Sequence, residues 1–447
     1  MEPTHLQALP TAQPKVFLED MGCQMNRLDS EIVLGKLRQA GFSRVESTED
    51  ADVVLYYTCS VREHAEDKVF GRLGSLKRLK ALKPNLVIGV MGCMAQNHKE
   101  LIFKRAPHVD LVCGTSRFED VVDLLEEVRH GERVLAVDRR ELSFERDISV
   151  RPRQYQAFIT AMRGCNKYCT FCIVPYTQGR ERSRPVNDLL EEARRLVGDG
   201  VVEVTLLGQR IDTYGEDFRD GSNLALLLRR MHAEVPGLVR INFITSHPNH
   251  MTDELAATIA DNERISRYLH LPVQSGSERV LKAMNRGYSV DEYRAAVATM
   301  RARVPDIAIA TDWIVGFPGE SEEDFAASVA LQQELGFHGS FVFKYSPRAG
   351  TRAAESADDV PREVKEARNQ VLLEQQSAMS LAQHTARIGH ELDVLVEGPS
   401  KRDASRSMGR SRWNEIVCFP MREGAEGSTM RIRIERTTAL TLHGQPV

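Results

Sequence analysis

Three cysteines close together in the sequence are the residues most specific for chemistry. Cys165, Cys169 and Cys172 form a C-x3-C-x2-C pattern, so one short loop supplies three thiolates. A cubane [4Fe–4S] cluster is normally held by four cysteine sulfurs, and three thiolates leave one iron open to a substrate. The alternative is a zinc site. Zinc requires a fourth thiolate or imidazole at similarly short spacing, whereas the nearest downstream histidine is His232.

A second set of three cysteines is spread over the first hundred residues. Cys23, Cys59 and Cys93 each follow directly after a predicted strand. The carboxyl ends of parallel strands meet at one edge of a sheet, so we expect the three thiolates to converge there. Gly22 and Gly92 precede two of them and would allow close approach of the backbone to a bulky cofactor. The alternative is three buried cysteines that pack as small hydrophobic residues. Cys113 and Cys418 belong to neither set, and we expect them to be packing residues.

The overall composition sets limits on the class of protein. A length of 447 residues indicates two to four domains, and 42% apolar with 27% charged residues is typical of a globular protein. The net charge of −4 excludes a cationic surface over the whole molecule, so nucleic acid would be bound by local patches. No secretion signal is recognised and the longest apolar run, Leu86–Met91, is too short to span a membrane. We therefore expect a cytoplasmic protein with no membrane contact and with reduced thiols that bind metal.

The first predicted domain covers residues 13–145 and is a wound parallel α/β sheet. Apolar strands at 16–19, 52–57 and 86–91 alternate with helical stretches, the first of them at 26–40. Residues 1–12 are predicted to be a disordered tail, and the charged stretch at 138–147 a linker.

The second predicted domain covers residues 151–383 and is a (βα)6 partial barrel. Helical segments separate the strands, and Ser289 to Glu292 has capping-box spacing. Right-handed crossovers would curl such repeats into a partial barrel whose chemistry lies at the carboxyl ends of the strands, where the 165–172 loop begins. The six candidate strands are 157–162, 202–207, 239–244, 268–273, 307–315 and 339–344.

The last predicted domain, residues 386–447, is a small antiparallel β-barrel that follows a long helix at 362–386. This segment is rich in β-forming residues, glycine and alternating charge. Its basic stretch carries a tryptophan that offers a stacking platform, a combination expected of a loop that grips RNA. The alternative is an ordinary solvated charged face. The predicted RNA-binding residues are Lys401, Arg402, Arg406, Arg410, Arg412 and Trp413.

A series of ordered motifs makes this chain resemble the methylthiotransferases of the radical S-adenosylmethionine superfamily, and more narrowly the tRNA 2-methylthio-N6-isopentenyladenosine synthases. The resemblance extends from residue 15 to about residue 440. The motifs are Gly22–Asn26, Asp29–Glu31, Thr58–Glu63, Gly92–Gln96, Gly164–Tyr176, Leu269–Ser277, Val315–Glu320 and Tyr345–Arg348.

The resemblance implies two [4Fe–4S] clusters, one on Cys165, Cys169 and Cys172 and the other on the three N-terminal cysteines. It also implies a C-terminal RNA-binding barrel of the TRAM type and a reaction that consumes two S-adenosylmethionines. One methylates a sulfur at the auxiliary cluster. The other is cleaved to a 5′-deoxyadenosyl radical, which activates C2 of an isopentenylated adenine beside the tRNA anticodon. Such an aromatic C–H bond requires a radical rather than a general base, and the cofactor supplies it.

Residues after the second, fourth and fifth strands of the half-barrel are candidates for contacts to S-adenosylmethionine. For Gly316 and Pro318, which follow the fifth strand, the alternative is an ordinary Pro-Gly turn. Arg180, Arg182 and Arg184 follow the cysteine loop, where they would either bind phosphate or carboxylate or form a solvated charged segment. The candidate cofactor-binding residues are Gly208, Gln209, Gln274, Ser275, Gly316 and Pro318.

The chain also departs from the family pattern at a few positions. Tyr57, Gln178 and Trp313 stand where the family usually has asparagine, arginine and a small aliphatic residue, respectively. Arg210 and Asp212 replace a pair of asparagines. None of these changes affects the six cysteines, but the last two bear on base or cofactor contacts.

Three further hypotheses remain open from the sequence. A sister enzyme would modify threonylcarbamoyladenosine of tRNA, or an aspartate of a ribosomal protein. A protein of another class would keep the fold as a non-catalytic iron–sulfur or zinc RNA-binding protein. For the main hypothesis the expected partners are the tRNA anticodon stem-loop, a reducing electron donor such as a flavodoxin, and a sulfur donor. The expected oligomeric state is a monomer.

Overall fold

The computed structural model describes residues 13–60, 63–142 and 150–447. The predicted tail at 1–12, and residues 143–147 of the predicted linker, lie outside these ranges. The chain forms two compact units: the first runs to Arg151 and includes Tyr176–Gln178, and the second comprises Pro152–Pro175 and Gly179–Val447. Among the described residues, no helix combines the length and the apolar character needed to cross a bilayer.

A six-stranded parallel sheet with strand order β2-β1-β3-β4-β5-β6 forms the centre of the first unit. Its central strands β3 and β4 are buried at every position, as expected for strands covered on both faces. The sequence predicted β1, α1, β3 and β4, but it missed the other strands, which have only two or three residues. The elements are β1 (Lys15–Met21), α1 (Gln24–Gln39), β2 (Ser43–Arg44), β3 (Val53–Thr58), α2 (Glu63–Leu82), β4 (Val87–Gly92), α3 (Cys93–His98), α4 (Glu100–Arg105), β5 (Leu111–Cys113), α5 (Val121–Arg129) and β6 (Val134–Ala136).

The next part of the chain forms the predicted half-barrel. Six parallel strands follow one another in sequence order as two three-stranded sheets, and the bridge between Ile241 and Ile265 joins them. The elements are β7 (Gln156–Thr160), β8 (Met162–Arg163), α6 (Val174–Gln178), β9 (Arg182–Ser183), α7 (Val186–Gly198), β10 (Glu203–Leu207), α8 (Leu224–Glu234), β11 (Arg240–Phe243), α9 (Asp253–Asp261), β12 (Tyr268–His270), α10 (Glu278–Ala283), α11 (Val290–Arg303), β13 (Ala308–Val315), α12 (Glu322–Leu335), β14 (Gly339–Lys344) and α13 (Arg362–Thr385).

The six predicted strands correspond to β7, β10, β11, β12, β13 and β14, so the predicted fold class is confirmed for this region. The apolar core lies between the strands and the surrounding helices and includes Val204, Ile241 and Trp313. Helix α11 begins at the predicted capping box: the hydroxyl of Ser289 accepts from the amide of Glu292, whose carboxylate accepts from the amide of Ser289.

The C-terminal segment is a closed five-stranded barrel with strand order β15-β16-β17-β19-β18. It is antiparallel as predicted except for β17 and β19, which run parallel to each other. Val394, Phe419 and Ile432 belong to its separate small core. The strands are β15 (Glu391–Pro399), β16 (Arg406–Arg410), β17 (Ile416–Pro420), β18 (Thr429–Thr437) and β19 (Leu442–Pro446).

A polar joint connects this barrel to the amino-terminal ends of the half-barrel strands. The carboxylate of Glu397 accepts from Nη1 of Arg153 at 2.8 Å and pairs with Nε of Arg410 at 3.1 Å. The hydroxyl of Tyr155 donates to the carbonyl of Glu397 at 2.6 Å, and Nη1 of Arg240 donates to the carbonyl of Arg410 at 2.9 Å. The barrel therefore packs at the end of the half-barrel opposite the cysteine loop.

Two histidines and a glutamate meet at the same joint. Ligand atoms of His338, His384 and Glu415 lie within 4.8 Å of one another. Both carboxylate oxygens of Glu415 already have protein partners, Nε of Arg387 at 3.0 Å and Oγ of Ser411 at 2.8 Å. Because the arginine neutralises the carboxylate, we interpret this cluster as a structural contact and not as a metal site.

Candidate cluster and cofactor sites

The loop with Cys165, Cys169 and Cys172 begins directly after the first strand of the half-barrel. A short antiparallel ribbon of β8 and β9 closes its base, and the amide of Cys165 donates to the carbonyl of Gly179 at 3.0 Å. Gly164 has a φ of +83°, and a Cβ there would lie 2.0 Å from the carbonyl oxygen of Arg180. Only glycine fits this entry to the loop.

The three thiols of this loop lie in a largely buried environment. Cys165 and Cys169 are buried and Cys172 is half-buried. Burial raises the pKa of Cys165 to about 11. Burial, followed by the neighbouring Cys169, raises the pKa of Cys172 to about 12. Thiolates are the metal-binding form, so a cluster that binds here displaces protons from these two residues.

The same loop is docked against α10 and the turn that follows it. The hydroxyl of Thr170 donates to the carbonyl of Ala283 at 2.9 Å, and its amide donates to the carbonyl of Met284 at 3.0 Å. Nη1 of Arg286 lies 3.4 Å from Sγ of Cys169. Nothing in the sequence marks Arg286 as a neighbour of this loop, because more than a hundred residues separate the two.

The second cysteine set is brought together by three adjacent parallel strands of the first unit. Cys23 precedes α1, Cys59 follows β3, and Cys93 is the first residue of α3 after β4. A hydrogen bond with Cys59, then burial, raises the pKa of Cys23 well above its usual range. Burial and the proximity of Cys23 raise the pKa of Cys93 to about 12. The three thiols therefore interact, as strand-end placement predicts.

Polar side chains hold this second set in place. Sγ of Cys23 donates to Oδ1 of Asn26 at 3.4 Å, and Nδ2 of that asparagine donates to the carbonyl of Thr58 at 2.8 Å. Nε2 of Gln178 donates to Sγ of Cys93 at 3.3 Å. Gln178, a departure from the family pattern, thus contributes a donor that stabilises a thiolate.

Both cysteine sets fit a [4Fe–4S] cluster by the chemistry of their donors. Each supplies three thiols on loops at the carboxyl ends of parallel strands. Each has a nitrogen donor within 3.4 Å of one sulfur, Arg286 for Cys169 and Gln178 for Cys93. In the second set Cys59 and Cys93 are buried, whereas Cys23 is exposed. Hydrogen bonds to the sulfurs are a feature that stabilises iron–sulfur clusters in proteins. By contrast, Cys113 and Cys418 are single buried thiols in β5 and β17, as expected.

The first candidate cofactor-binding residues, Gly208 and Gln209, lie at the carboxyl end of β10. A Cβ at Gly208 would lie 2.6 Å from Cγ of Met162, so the backbone approaches β8 closely. Oε1 of Gln209 is buried and lacks a hydrogen-bond partner among the described residues. A buried acceptor without a partner is costly unless a ligand satisfies it, so this atom points to a ligand site.

Gln274 and Ser275 follow β12, and Gly316 and Pro318 follow β13. Gln274 has a φ of +77°, and its amide donates to the carbonyl of Asp312 at 2.9 Å. The hydroxyl of Ser275 lies 3.4 Å from that of Ser328. The amide of Gly316 donates to the carboxylate of Glu320 at 2.6 Å, which holds the Pro-Gly turn. The structure places all four residues at the same strand-end edge, and their contact with a cofactor stays a prediction.

Arg210 and Asp212 form a buried ion pair at this edge. Nη2 of Arg210 donates to Oδ2 of Asp212 at 2.9 Å, while Nε of the arginine and Oδ1 of the aspartate have no hydrogen-bond partner in the described structure. Burial raises the pKa of Asp212 to about 6 although Arg210 opposes the shift. Burial, then the charges of Arg286 and Arg210, lowers the pKa of His247 to about 2. Nη1 of Arg210 also lies 3.5 Å from Oε1 of Glu181, so two carboxylates balance the charge of this arginine.

The two remaining departures from the family pattern, and Arg184 after the cysteine loop, make contacts within the protein. The hydroxyl of Tyr57 donates to Asp29 at 3.1 Å, and Nε1 of Trp313 donates to Ser340 at 3.2 Å. Arg184 is buried and pairs with Glu192 at 2.6 Å, which leaves only Arg180 and Arg182 exposed. Arg184 therefore binds a carboxylate of the protein itself, and the alternative of a solvated charged segment does not fit this residue.

The inner face of the half-barrel carries polar and aromatic side chains that the sequence analysis did not single out. Nε2 of His270 lies 2.8 Å from Oδ1 of Asp312, and the ring centroids of His270 and Phe341 are 5.9 Å apart in an edge-to-face arrangement. Phe341 is 52% exposed and Phe343 is 40% exposed. The two phenylalanines at alternate positions of β14 were the available signal, because alternate residues of a strand share a face.

The six predicted RNA-binding residues separate into an exposed pair and four residues with contacts inside the protein. Lys401 and Arg402 are exposed. Arg406 donates to the carbonyl of Cys418 at 3.2 Å, and Arg410 pairs with Glu397 in the polar joint.

Arg412 and Trp413 pack against the half-barrel. The carbonyl of Arg412 accepts from the hydroxyl of Ser266 at 2.7 Å, and Nε1 of Trp413 donates to Asp306 at 3.2 Å. The guanidinium of Arg387 lies 4.3 Å from the centroid of the Trp413 ring and covers one of its faces. A stacking role for Trp413 stays a prediction, and its observed contacts are intramolecular.

Comparison with known proteins agrees with this division of the chain. Residues 15–114 match the family described as uncharacterized protein family UPF0004, and residues 159–331 match the radical SAM superfamily. The tRNA-2-methylthio-N(6)-dimethylallyladenosine synthase of Moorella thermoacetica is 44% identical over 95% of this chain and 97% of its own length. The enzymes of the same name from Rhodopirellula baltica and Carboxydothermus hydrogenoformans are each 42% identical, over 96% and 97% of this chain and 95% and 99% of their own lengths, respectively.

Solved structures share the fold at low sequence identity. The radical S-adenosylmethionine methyltransferase TsrM from Kitasatospora setae, with cobalamin and a [4Fe–4S] cluster bound, matches with a TM-score of 0.54 and 14% identity over 77% of each chain. The cobalamin-dependent S-adenosylmethionine radical enzyme OxsB with aqua-cobalamin bound matches with a TM-score of 0.52 and 14% identity over 82% of this chain and 56% of its own.

Proposed function

This chain belongs to the tRNA-2-methylthio-N(6)-dimethylallyladenosine synthase family, and from that membership we propose its reaction. It is a radical S-adenosylmethionine enzyme that inserts a methylthio group at C2 of N6-isopentenyladenosine at position 37 of tRNA. It uses two [4Fe–4S] clusters and two S-adenosylmethionines. When bound, these cofactors supply the sulfur, the methyl group and the one-electron chemistry that an unactivated aromatic C–H bond requires.

The two sets of three thiols are the observation that carries this proposal. Cys165, Cys169 and Cys172 hold the radical cluster and leave one coordination position open for S-adenosylmethionine. Cys23, Cys59 and Cys93 hold the auxiliary cluster. One open position in each set distinguishes an enzyme from a protein with closed structural metal sites.

The strand-end residues of the half-barrel position the remaining reactants. The buried acceptor of Gln209 suits the ammonium group of S-adenosylmethionine. The exposed ring of Phe341 and the His270–Asp312 pair suit an adenine, through stacking and through hydrogen bonds to its edge. A base in a tRNA loop is already partly unpaired, so its extrusion into the half-barrel costs little.

Several partners belong to the same proposal. The exposed Lys401 and Arg402 of the barrel bind phosphates of the anticodon stem-loop. A reducing protein such as a flavodoxin delivers electrons, and a separate donor replaces the sulfur that leaves with each product. The enzyme acts as a monomer in the cytoplasm, where tRNA is modified.

Mass spectrometry of tRNA nucleosides tests the reaction and the substrate together. Cells without the gene are complemented with the wild type, Cys169→Ala, Cys59→Ala or the control Cys418→Ala. We expect the wild type and the control to restore the methylthio nucleoside, and both cluster variants to accumulate isopentenyladenosine. Purified Cys59→Ala should still cleave S-adenosylmethionine under reducing conditions, whereas Cys169→Ala should not. Normal methylthiolation by Cys59→Ala would refute the auxiliary cluster.

The same experiment separates the sister activities and the non-catalytic alternative. Unchanged isopentenyladenosine, together with loss of a methylthio group on threonylcarbamoyladenosine or on a ribosomal protein, would assign a sister substrate. Anaerobic metal analysis should give about eight irons per chain for two clusters, against one or two zincs for a structural protein.

A further inference from the structure

Arg286 is a buried cation next to the cysteine loop. It lies in the turn between α10 and α11, between Asn285 and Gly287, which both have positive φ angles of 55° and 69°. Its side chain makes three hydrogen bonds: Nε to the hydroxyl of Tyr288 at 3.1 Å, Nη2 to the carbonyl of Pro272 at 3.0 Å, and Nη1 to Sγ of Cys169 at 3.4 Å.

The charge of this guanidinium has no carboxylate partner in the described part of the chain. Arginine stays protonated in proteins, and a buried cation is costly unless an anion compensates it. The carbonyl of Pro272 is neutral, and burial raises the pKa of Tyr288, so its phenol is neutral as well. Only the sulfur of Cys169 can carry a negative charge among the three acceptors. The guanidinium therefore faces the one acceptor of the three that bears negative charge when it serves as a cluster ligand.

The surroundings fix the guanidinium in this position. The hydroxyl of Tyr288 donates to the carbonyl of Val273 at 2.7 Å, and its ring centroid lies 5.3 Å from the guanidinium carbon of Arg286. Pro272 and Val273 follow β12, so the arginine spans from the carboxyl end of that strand to the cysteine loop. Backbone amides are the hydrogen-bond partners that lower the pKa of the other two cysteines of the loop, those of Lys167 for Cys165 and Val174 for Cys172.

We propose that Arg286 is a positioning residue for the radical cluster. It holds the Cys169 sulfur by a charged hydrogen bond and makes the cluster easier to reduce. The inference rests on the proposed function, because it takes Cys165, Cys169 and Cys172 as the cluster ligands. Reduction adds one electron to the cluster, and a fixed cation in a buried site stabilises that added charge. Removing the cation therefore shifts the reduction potential to more negative values.

The test compares Arg286→Met, which removes the charge at similar volume, with Arg286→Lys, which keeps it. Both are made in a Cys59→Ala background, so that only the radical cluster is observed. The control is Arg294→Met, since Arg294 lies on α11 and pairs with the surface residue Glu334 at 2.7 Å. The full chain is reconstituted anaerobically, iron is counted, and the midpoint potential is measured by a redox titration followed by electron paramagnetic resonance.

We expect about four irons in the background and control proteins and a more negative potential in Arg286→Met. Arg286→Lys should lie between Arg286→Met and the control. A weak biological reductant should support slower cleavage of S-adenosylmethionine by Arg286→Met, and a strong chemical reductant should restore the rate. An unchanged potential in an iron-loaded Arg286→Met protein overturns the proposal. A merely structural arginine would give that result together with a lower unfolding temperature.

Two further outcomes are informative. If Arg286→Met takes up no iron, Arg286→Gln is measured instead, because the glutamine keeps a donor but not the charge. A potential equal to that of the control then overturns the role of the charge, and a more negative one supports it. If the Cys59→Ala background itself forms no cluster that binds S-adenosylmethionine, the ligand assignment of the proposed function fails, which is distinct from failure of the role of Arg286.

Discussion

Arginines of this chain show how the surroundings decide the role of one residue type. Arg184 is neutralised by Glu192 and Arg210 by Asp212, whereas Arg286 donates to the sulfur of Cys169 and has no carboxylate partner among the described residues. Exposed basic residues such as Lys401 and Arg402 instead have their charge available to a polyanion. Sequence alone treats these side chains as equivalent.

At the residue scale, the basic stretch of the barrel should separate into RNA contacts and packing contacts. We expect Lys401→Ala with Arg402→Ala to weaken tRNA binding and to reduce the slope of log Kd against log salt by about two, because two phosphate contacts are lost. Trp413→Ala should leave that slope unchanged and lower the free energy of unfolding by about 1–3 kcal/mol, since it removes packing with Arg387 and the bond to Asp306. Fluorescence anisotropy over a salt series and denaturant unfolding measure these effects. A reduced salt slope in Trp413→Ala would place the ring on the RNA.

The carboxyl ends of individual strands position the reactive groups of this fold. Strands β1, β3 and β4 are adjacent and parallel, so the residues after them share an edge. The same rule places the Cys165 loop, Gln209, Gln274 and Gly316 at the carboxyl ends of the half-barrel strands. Helix α1 contributes in a different way, because it buries the acidic side chain of Glu31.

At the element scale, α1 should make the stability of the first unit depend on pH. Burial raises the pKa of Glu31 from 4.5 to about 7, although Arg27 opposes the shift. The folded chain therefore keeps a proton that the unfolded chain loses, and this stabilisation is present below pH 4.5 and lost as the pH rises to about 7. Glu31→Gln does not titrate, so its stability relative to the wild type should rise by up to about 3 kcal/mol between pH 5 and pH 8.

Hydrogen exchange of the α1 amides in the cluster-free full chain measures this difference. Glu46→Gln is the matched control, since the Glu46 side chain is 85% exposed. A pH profile of Glu31→Gln that parallels the wild type would contradict the prediction.

On the scale of the whole chain, the C-terminal barrel and the half-barrel form a single packed body within the second unit. Glu397 is the centre of their joint, because it is almost fully buried and receives both Arg153 and Arg410. The half-barrel thus has its cysteine loop at one end and the C-terminal barrel at the other.

Glu397→Gln should loosen this joint without disturbing the clusters. The change leaves two arginines without a carboxylate, which we expect to cost about 1–3 kcal/mol after allowance for their partial exposure. Limited proteolysis should release the barrel faster by cleavage between α13 and β15, with iron content unchanged. Glu391→Gln is the control, because its partners Arg431 and Arg433 are exposed. Equal cleavage rates for the two variants would show that Glu397 is not central to the joint.

The sequence by itself determined the fold class, the strands of the half-barrel and the two cysteine sets. Strand periodicity and the cysteine spacing within the 165–172 loop are local properties, and the position of Cys23, Cys59 and Cys93 after three strands predicts that they converge at one edge. It also located the basic stretch at residues 401–413. Only the tertiary structure decided which of those residues are exposed, because Arg412 and Trp413 are covered by segments distant in sequence.

The contact of Arg286 with Cys169 could likewise not be predicted from the sequence. The two residues are 117 positions apart, and the turn after α10 must fold back onto the first loop before they meet. The His270, Asp312 and Phe341 cluster has the same origin, since three different strands contribute one side chain each. The spacing of the cysteines in the 165–172 loop can be read directly from the sequence. The charge and the shape around these cysteines arise from packing between residues far apart in the chain.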